Sequence, residues 1–168
     1  MPLNLLKKYN SHLDLAGLTE AQRKQSLLGV FNKDIANNNS FKFLNKQITP
    51  TPLDGVIKME TLFNHLITVI VDKETRKREF DIHRSLRLHW VKFHIDQMKK
   101  ENMLHFTVKE PEGFRTYIYD KDEKYVIVLE PLRNKTEYYL LSAYHLTGKD
   151  NKRDKIEKKY KRKLNEVL

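Results

Sequence analysis

Leu104-His105-Phe106-Thr107-Val108-Lys109, Phe114-Arg115-Thr116-Tyr117-Ile118-Tyr119, Lys124-Tyr125-Val126-Ile127-Val128-Leu129-Glu130 and Glu137-Tyr138-Tyr139-Leu140-Leu141-Ser142-Ala143-Tyr144 follow one another with short gaps. This stretch decides the fold. Each run is rich in β-branched and aromatic residues, which suit a pleated, half-buried surface. The separators Glu110-Pro111-Glu112-Gly113 and Asp120-Lys121-Asp122-Glu123 are turn-forming, and short enough to make consecutive strands antiparallel neighbours. Strict alternation puts Phe114, Thr116 and Ile118 on one face, with Arg115, Tyr117 and Tyr119 on the other. In the last run Tyr138, Leu140, Ser142 and Tyr144 share a face opposite Tyr139, Leu141 and Ala143. A four-stranded antiparallel sheet is expected here.

Upstream, the chain reads as helical and then irregular. Leu3, Leu6 and Leu13 suggest a short amphipathic helix. Thr19 and Gln22 form a capping-box pattern ahead of Leu27, Leu28, Val30 and Phe31, and Asn37-Asn38-Asn39-Ser40 ends that helix. Thr49-Pro50-Thr51-Pro52 and Asp54-Gly55 favour extended chain and turns. Met59, Leu62, Phe63 and Leu66 recur at helical spacing before a strand at 68–71 and a short partner at 77–80. Downstream, Gly148 closes the sheet and Ile156, Tyr160 and Leu164 mark a final basic helix. Helices followed by a meander make an α+β domain.

Residues 82–100 return to a helical pattern. At about 100° per residue, His89, Lys92, Asp96, Lys99 and Lys100 fall on the outward face. Phe93, Leu86, Trp90, Val91, Met98 and Ile95 form the opposite arc. In the middle of that apolar arc lie His83, Arg87 and His94, with Arg84 toward one edge. A charged head buried without a partner costs several kcal/mol, so these groups need carboxylates, water or a ligand. Glu79, Asp81 and Glu130 are the nearby acids in sequence. Four ionisable residues on one apolar arc point to a cleft between helix and sheet.

The 168 residues, 39% hydrophobic, are enough for one domain with a real core. Lysine and arginine outnumber acids by 32 to 22, a net +10, which favours a polyanionic partner. Of that charge, +6 comes from residues 149–163, including Lys152 and Arg153. A solvated helix face is the common fate of such a run, and steering of an RNA backbone is the functional alternative. The absence of cysteine excludes disulfide scaffolds, zinc ribbons, iron–sulfur ligation and thiol catalysis. A metal site from His83, His89 and His94 fails because His89 is placed on the opposite face, and no cofactor is expected. The longest apolar run, 66–71, is far short of the roughly 20 residues a membrane span needs. The start lacks a leader pattern, so a cytoplasmic protein without a membrane partner is expected. Ser142 lacks a G-x-S-x-G context, which removes the serine-hydrolase reading. His12 and His65 read as ordinary surface or core histidines.

Arg84-Ser85-Leu86-Arg87-Leu88-His89-Trp90-Val91, followed by Arg115-Thr116-Tyr117-Ile118-Tyr119, Tyr125-Val126-Ile127-Val128-Leu129 and Tyr138-Tyr139-Leu140-Leu141-Ser142-Ala143-Tyr144, resembles the phage-associated branch of the barnase/EndoU/colicin/RelE-like (BECR) nucleases. The resemblance covers residues 66–150. It implies helices followed by a four-stranded antiparallel sheet, and a small metal-independent ribonuclease of toxin or phage type. The chain then divides into a helical and irregular extension at 1–65, a BECR-like core at 66–150 and a basic C-terminal helix at 151–168, within one structural domain.

The same resemblance matches the family's arginine to Arg84 or Arg87, its last-strand hydroxyl to Ser142 and its aromatic to Tyr144. Histidine placement varies among these nucleases, so the resemblance does not choose among His83, His94 and His145; the helical arc assigns proton transfer to His83 or His94 and phosphate binding to Arg84 and Arg87. Arg115, Tyr117, His145, Lys152 and Arg153 complete the expected substrate surface. Metal-free RNA cleavage needs a base, an acid and cations on the phosphate, and histidine and arginine supply these. RNA is the expected partner, with a cognate antitoxin or immunity protein as a second. The readings from other classes are an inert nucleic-acid-binding or phage-structural module, and an interaction protein whose basic face meets an acidic partner.

Overall fold

A computed structural model describes residues 2–134 and 136–168. Short helix α1 (Pro2–Leu5) precedes α2 (Glu20–Phe31), whose N-terminus carries the expected capping box. Thr19 Oγ1 accepts from Gln22 N, and Gln22 Oε1 accepts from Thr19 N. A π-helical turn, Asn32–Ala36, extends α2. Then come β1 (Lys42–Phe43), β2 (Lys46–Pro50), α3 (Met59–Ile67) and the hairpin β3 (Thr68–Asp72) and β4 (Lys77–Phe80). Helices α4 (Ile82–Leu86) and α5 (Trp90–Ile95) lead into β5 (Met103–Glu110), β6 (Gly113–Asp120), β7 (Tyr125–Pro131) and β8 (Glu137–His145). Helices α6 (Gly148–Arg153) and α7 (Lys155–Tyr160) follow.

The expected four-stranded antiparallel sheet is corrected on two counts. The sheet has six strands in the order β1-β2-β8-β7-β6-β5 and is mixed, and β3 and β4 form a separate two-stranded sheet. The β5–β8 meander is antiparallel, but β2 runs parallel to β8, pairing Gln47 with Glu137 through Pro50 with Leu140. The region read as irregular therefore supplies two strands. Phe43 and Ile48 bury their side chains, and Pro50, which donates no ladder bond, closes the last register. The BECR fold implied by the resemblance is corrected with it, because its sheet is not the one this chain builds.

One face of the sheet packs on the N-terminal half. Leu27, Phe31, Phe41, Leu62, Leu66, Trp90, Ile127, Tyr138 and Leu140 belong to one buried cluster. The other face carries Phe106, Tyr117, Tyr119 and Val126 under Ile156 and Tyr160 of α7. A bulge near Leu141, where the register steps from Leu129↔Leu140 to Val128↔Ser142, reverses the alternation. Tyr138 and Leu140 thus face the first cluster while Tyr144 packs on the second, so the single face read from the sequence is split between two layers.

The helix expected over 82–100 is two short ones. Arg87 causes the break: its Nη1 donates to the His83 carbonyl at 2.8 Å, the acceptor its own N–H would use in an α-helix. The Arg87 N–H bonds to Arg84 O instead, and Trp90 N to Arg87 O, tightening the chain into i→i−3 turns. His89, expected outside, is drawn in with 7% exposure and donates from Nε2 to the Lys8 carbonyl. Trp90 Nε1 donates to Ser11 O at 3.1 Å.

Candidate active site

Where β2 ends at Pro50, the remaining edge of β8 is left without a strand neighbour on that side. Helix α4 packs there. Its N-cap Asp81 accepts from Arg84 N at 2.8 Å, which fixes the first turn and aims Arg84 at the β8 edge. Arg84 Nη1 lies 3.4 Å from Ser142 Oγ and 3.3 Å from the His65 carbonyl, and the guanidinium stands 5.4 Å above the Tyr144 ring. Burial lowers the Arg84 pKa, with Asp81 opposing, but an arginine stays protonated at any ordinary pH.

A pocket of about 150 Å³ opens beside it, lined by Val69, Asp81, His83, Arg84, Tyr144, His145, Leu146, Thr147 and Asp150. His83 is exposed and His145 half-buried. Burial, then the charges of Arg87 and His83, push the His145 pKa down, and its Nδ1 is enclosed without a partner. Burial raises the Tyr144 phenol, helped by Asp150. Two histidines, an arginine and a threonine hydroxyl around one hollow suit an oxyanion that gains and loses protons.

Arg87 is 8% exposed and lies 5.4 Å from the Trp90 ring, with Nε enclosed and unpartnered. Neither Arg84 nor Arg87 has a carboxylate at ion-pair distance among the described residues.

The structure thus brings His83, Arg84, Tyr144 and His145 to one pocket, with Ser142 behind and Arg87 beside it. It places other expected site residues elsewhere. His94 is 1% exposed, with Nε2 3.2 Å from Asp120 Oδ2, and Lys99 Nζ is 3.2 Å from Asp120 Oδ1. Tyr9 Oη also donates to Asp120. Burial would raise the Asp120 carboxyl, but the adjacent His94 imidazole and the Tyr9 hydroxyl hold it well below the usual carboxylate range. Arg115 pairs with Glu130 at 3.6 Å, and Tyr117 donates to Glu110 at 3.1 Å. The side chains of Lys152 and Arg153 lie outside the described residues.

Thr147 and Asp150 on the pocket wall were not anticipated from sequence, and Asp81, considered there as an ion-pair partner, serves as the N-cap instead. Arg78 lies nearby in the same layer, its Nε donating to Thr68 Oγ1 at 2.8 Å. An aspartate three residues before Arg84 was the available signal for an N-cap. His65, read as ordinary, supplies its carbonyl to Arg84.

A larger hollow, about 660 Å³, lies between α2 and α3 and is lined mainly by Leu28, Phe31, Leu53, Met59, Phe63 and Ile67. Size favours it, but its lining holds no histidine or arginine, whereas the smaller pocket gathers two histidines and an arginine. Among the described residues no group of three or more His, Asp and Glu is placed to hold a metal ion, and no helix is long and apolar enough to cross a membrane. Comparison with protein-family models, with curated proteins and with solved structures returns no match.

Proposed function

We propose that the chain is a metal-independent endoribonuclease acting at the pocket between α4 and β8. The observation that carries this reading is the meeting of His83, His145 and Arg84, which has no ion pair among the described residues, on one hollow. His145, kept neutral by burial and by Arg87, is the base. It takes the 2′-hydroxyl proton as the 2′-oxygen bonds to phosphorus. His83 donates a proton to the departing 5′-oxygen as the P–O5′ bond breaks. Arg84, held in plane by Tyr144 and Ser142, stabilises the charge that builds on the equatorial oxygens. The products are a 2′,3′-cyclic phosphate and a free 5′-hydroxyl.

Asp81 and Asp150 on the same pocket wall oppose an approaching phosphate and so weigh against the nuclease reading. An inert nucleic-acid-binding module that holds the strand on the basic segment 149–163 instead is the second reading. Incubating the purified protein with RNA in EDTA and mapping product ends separates the two. The nuclease reading expects cyclic phosphate ends that disappear in His83→Gln and His145→Gln. Salt-dependent binding without cleavage overturns it in favour of the second reading.

A further inference from the structure

The hollow between α2 and α3 continues past Lys24, Asn64 and Ile67 into a second one of about 200 Å³, whose walls add Glu20, Arg23, Leu27, Thr68 and Phe80. The two differ in character. The first is floored by the buried Phe31, Phe63 and Ile67, while Leu28, Leu53 and Met59 around its mouth stay exposed although apolar. Leu53 is fixed there by a tight turn. Leu53 and Val56 exchange both backbone hydrogen bonds, at 2.9 and 3.0 Å, around Asp54 and Gly55 at φ 51° and 77°. At about 660 Å³ this hollow has the size and the apolar walls of a small-molecule site, which typically encloses about 300–1,000 Å³.

The second hollow carries the charge. Helix α2 places Glu20, Arg23 and Lys24 on its wall, on one face and a turn apart. The Arg23 guanidinium carbon lies 3.9 Å from the centre of the Phe80 ring, which holds the side chain over that hollow. Neither Arg23 nor Lys24 has a carboxylate at ion-pair distance among the described residues. Two cations against Glu20 leave this wall one positive charge, which matches a single carboxylate. Glu60, on the wall of the first hollow only, opposes an anion at the other end and so sets a direction. From Lys24 to Asn32 the first hollow follows α2 for about 12 Å at the helical rise, the reach of a medium-length alkyl chain.

We propose that the joined hollows bind a fatty-acid-like amphiphile, its carboxylate at Arg23 and Lys24 and its alkyl chain between α2 and α3. The head takes charge-assisted hydrogen bonds from the two cations, and the chain covers Leu28, Leu53 and Met59. This site goes beyond the nuclease reading and stands or falls independently of it.

The test uses the intact chain with methyl-labelled methionine and three decyl probes below micelle formation: decanoate, decanol and decyltrimethylammonium. Met59 lines the hollow, whereas Met98 borders a different one and Met103 opens β5. Decanoate is expected to shift the Met59 methyl resonance and leave those of Met98 and Met103 in place. It is expected to bind about tenfold more tightly than decanol, the worth of one charge-assisted contact. Arg23→Gln combined with Lys24→Gln is expected to bring decanoate down to the affinity of decanol. Leu28→Glu, at an exposed position, is expected to weaken both probes by about tenfold. A Met59 signal that none of the probes moves overturns the site, as do shifts at all three methionines together. Decanol or the cationic probe binding as tightly as decanoate overturns it too. A Met59 shift that instead follows the concentration of the protein itself, and vanishes in Leu28→Glu, gives the hollow to a second copy of the chain and overturns the proposal.

Discussion

At the α5 end of residues 82–95, His94 meets Asp120, which also holds Lys99 and Tyr9. At the α4 end, Arg84 and Arg87 have only carbonyls, a serine hydroxyl and aromatic faces. Both ends place basic groups among apolar neighbours. The α5 end sets its basic groups against a buried carboxylate, whereas the α4 end leaves guanidinium donors without a carboxylate at ion-pair distance among the described residues. A buried cation with a carboxylate beside it is accounted for by the fold, and one without is where the nuclease reading is open to test.

Removing the partner at the structural end is expected to give the largest effect. Asp120→Ala leaves His94 and Lys99 beside an empty acceptor and is expected to cost about 3–5 kcal/mol of stability, measured by urea unfolding. RNA affinity of the folded fraction is expected to stay unchanged, and a selective loss of affinity breaks the contrast. At the other end, Arg84→Met is expected to lower the rate of RNA cleavage by about 10²–10³-fold. Its unfolding midpoint is expected to hold or rise, because a half-buried charge without a carboxylate is replaced by an apolar chain.

His89, at the junction, gives a pH test. Burial pushes its pKa down to about 4, against an ordinary value near 6.5. The folded form resists protonation more than the unfolded one, so this contribution is intact above pH 6.5 and is lost as pH falls through about 4. The total is about 3 kcal/mol. The low Asp120 pKa has the same sign, but its contribution holds above 3.8 and is lost only below that. Thermal melting across pH 7 to 4 is expected to fall in the wild type and to flatten in His89→Gln. A fall of equal size in the variant places the acid lability elsewhere. The smallest expected effect is Ser142→Ala: its 3.4 Å contact to Arg84 is long, and a cleavage loss of only about two- to fivefold is expected.

The meander was legible because β5 to β8 alternate and are divided by turn residues. The capping box of α2, helix α3 and hairpin β3–β4 were legible for equally local reasons. Strands β1 and β2 were not. Their turn runs through Leu44 and Asn45, both at positive φ (50° and 64°), without the glycine that usually marks such a turn. The parallel partner of β2 is β8, some 90 residues away, and no local pattern announces that pairing.

At the site, His83 and Arg84 were chosen by a helical wheel that the chain does not keep, and Tyr144 and His145 by the strand pattern and the resemblance. Arg87 takes the helix's own acceptor and breaks it, and the β8 bulge changes which side chains share a face. His94 could not be separated from His83 by sequence, because the distinguishing residue, Asp120, lies on another strand.

The most direct measurement compares His145→Gln with His94→Gln on a labelled single-stranded RNA in EDTA, each corrected to its folded fraction. 2′,3′-Cyclic phosphate products are expected from the wild type and from His94→Gln, and none from His145→Gln. Intact RNA with the wild type, or cleavage lost in His94→Gln but retained in His145→Gln, overturns the nuclease reading at this pocket.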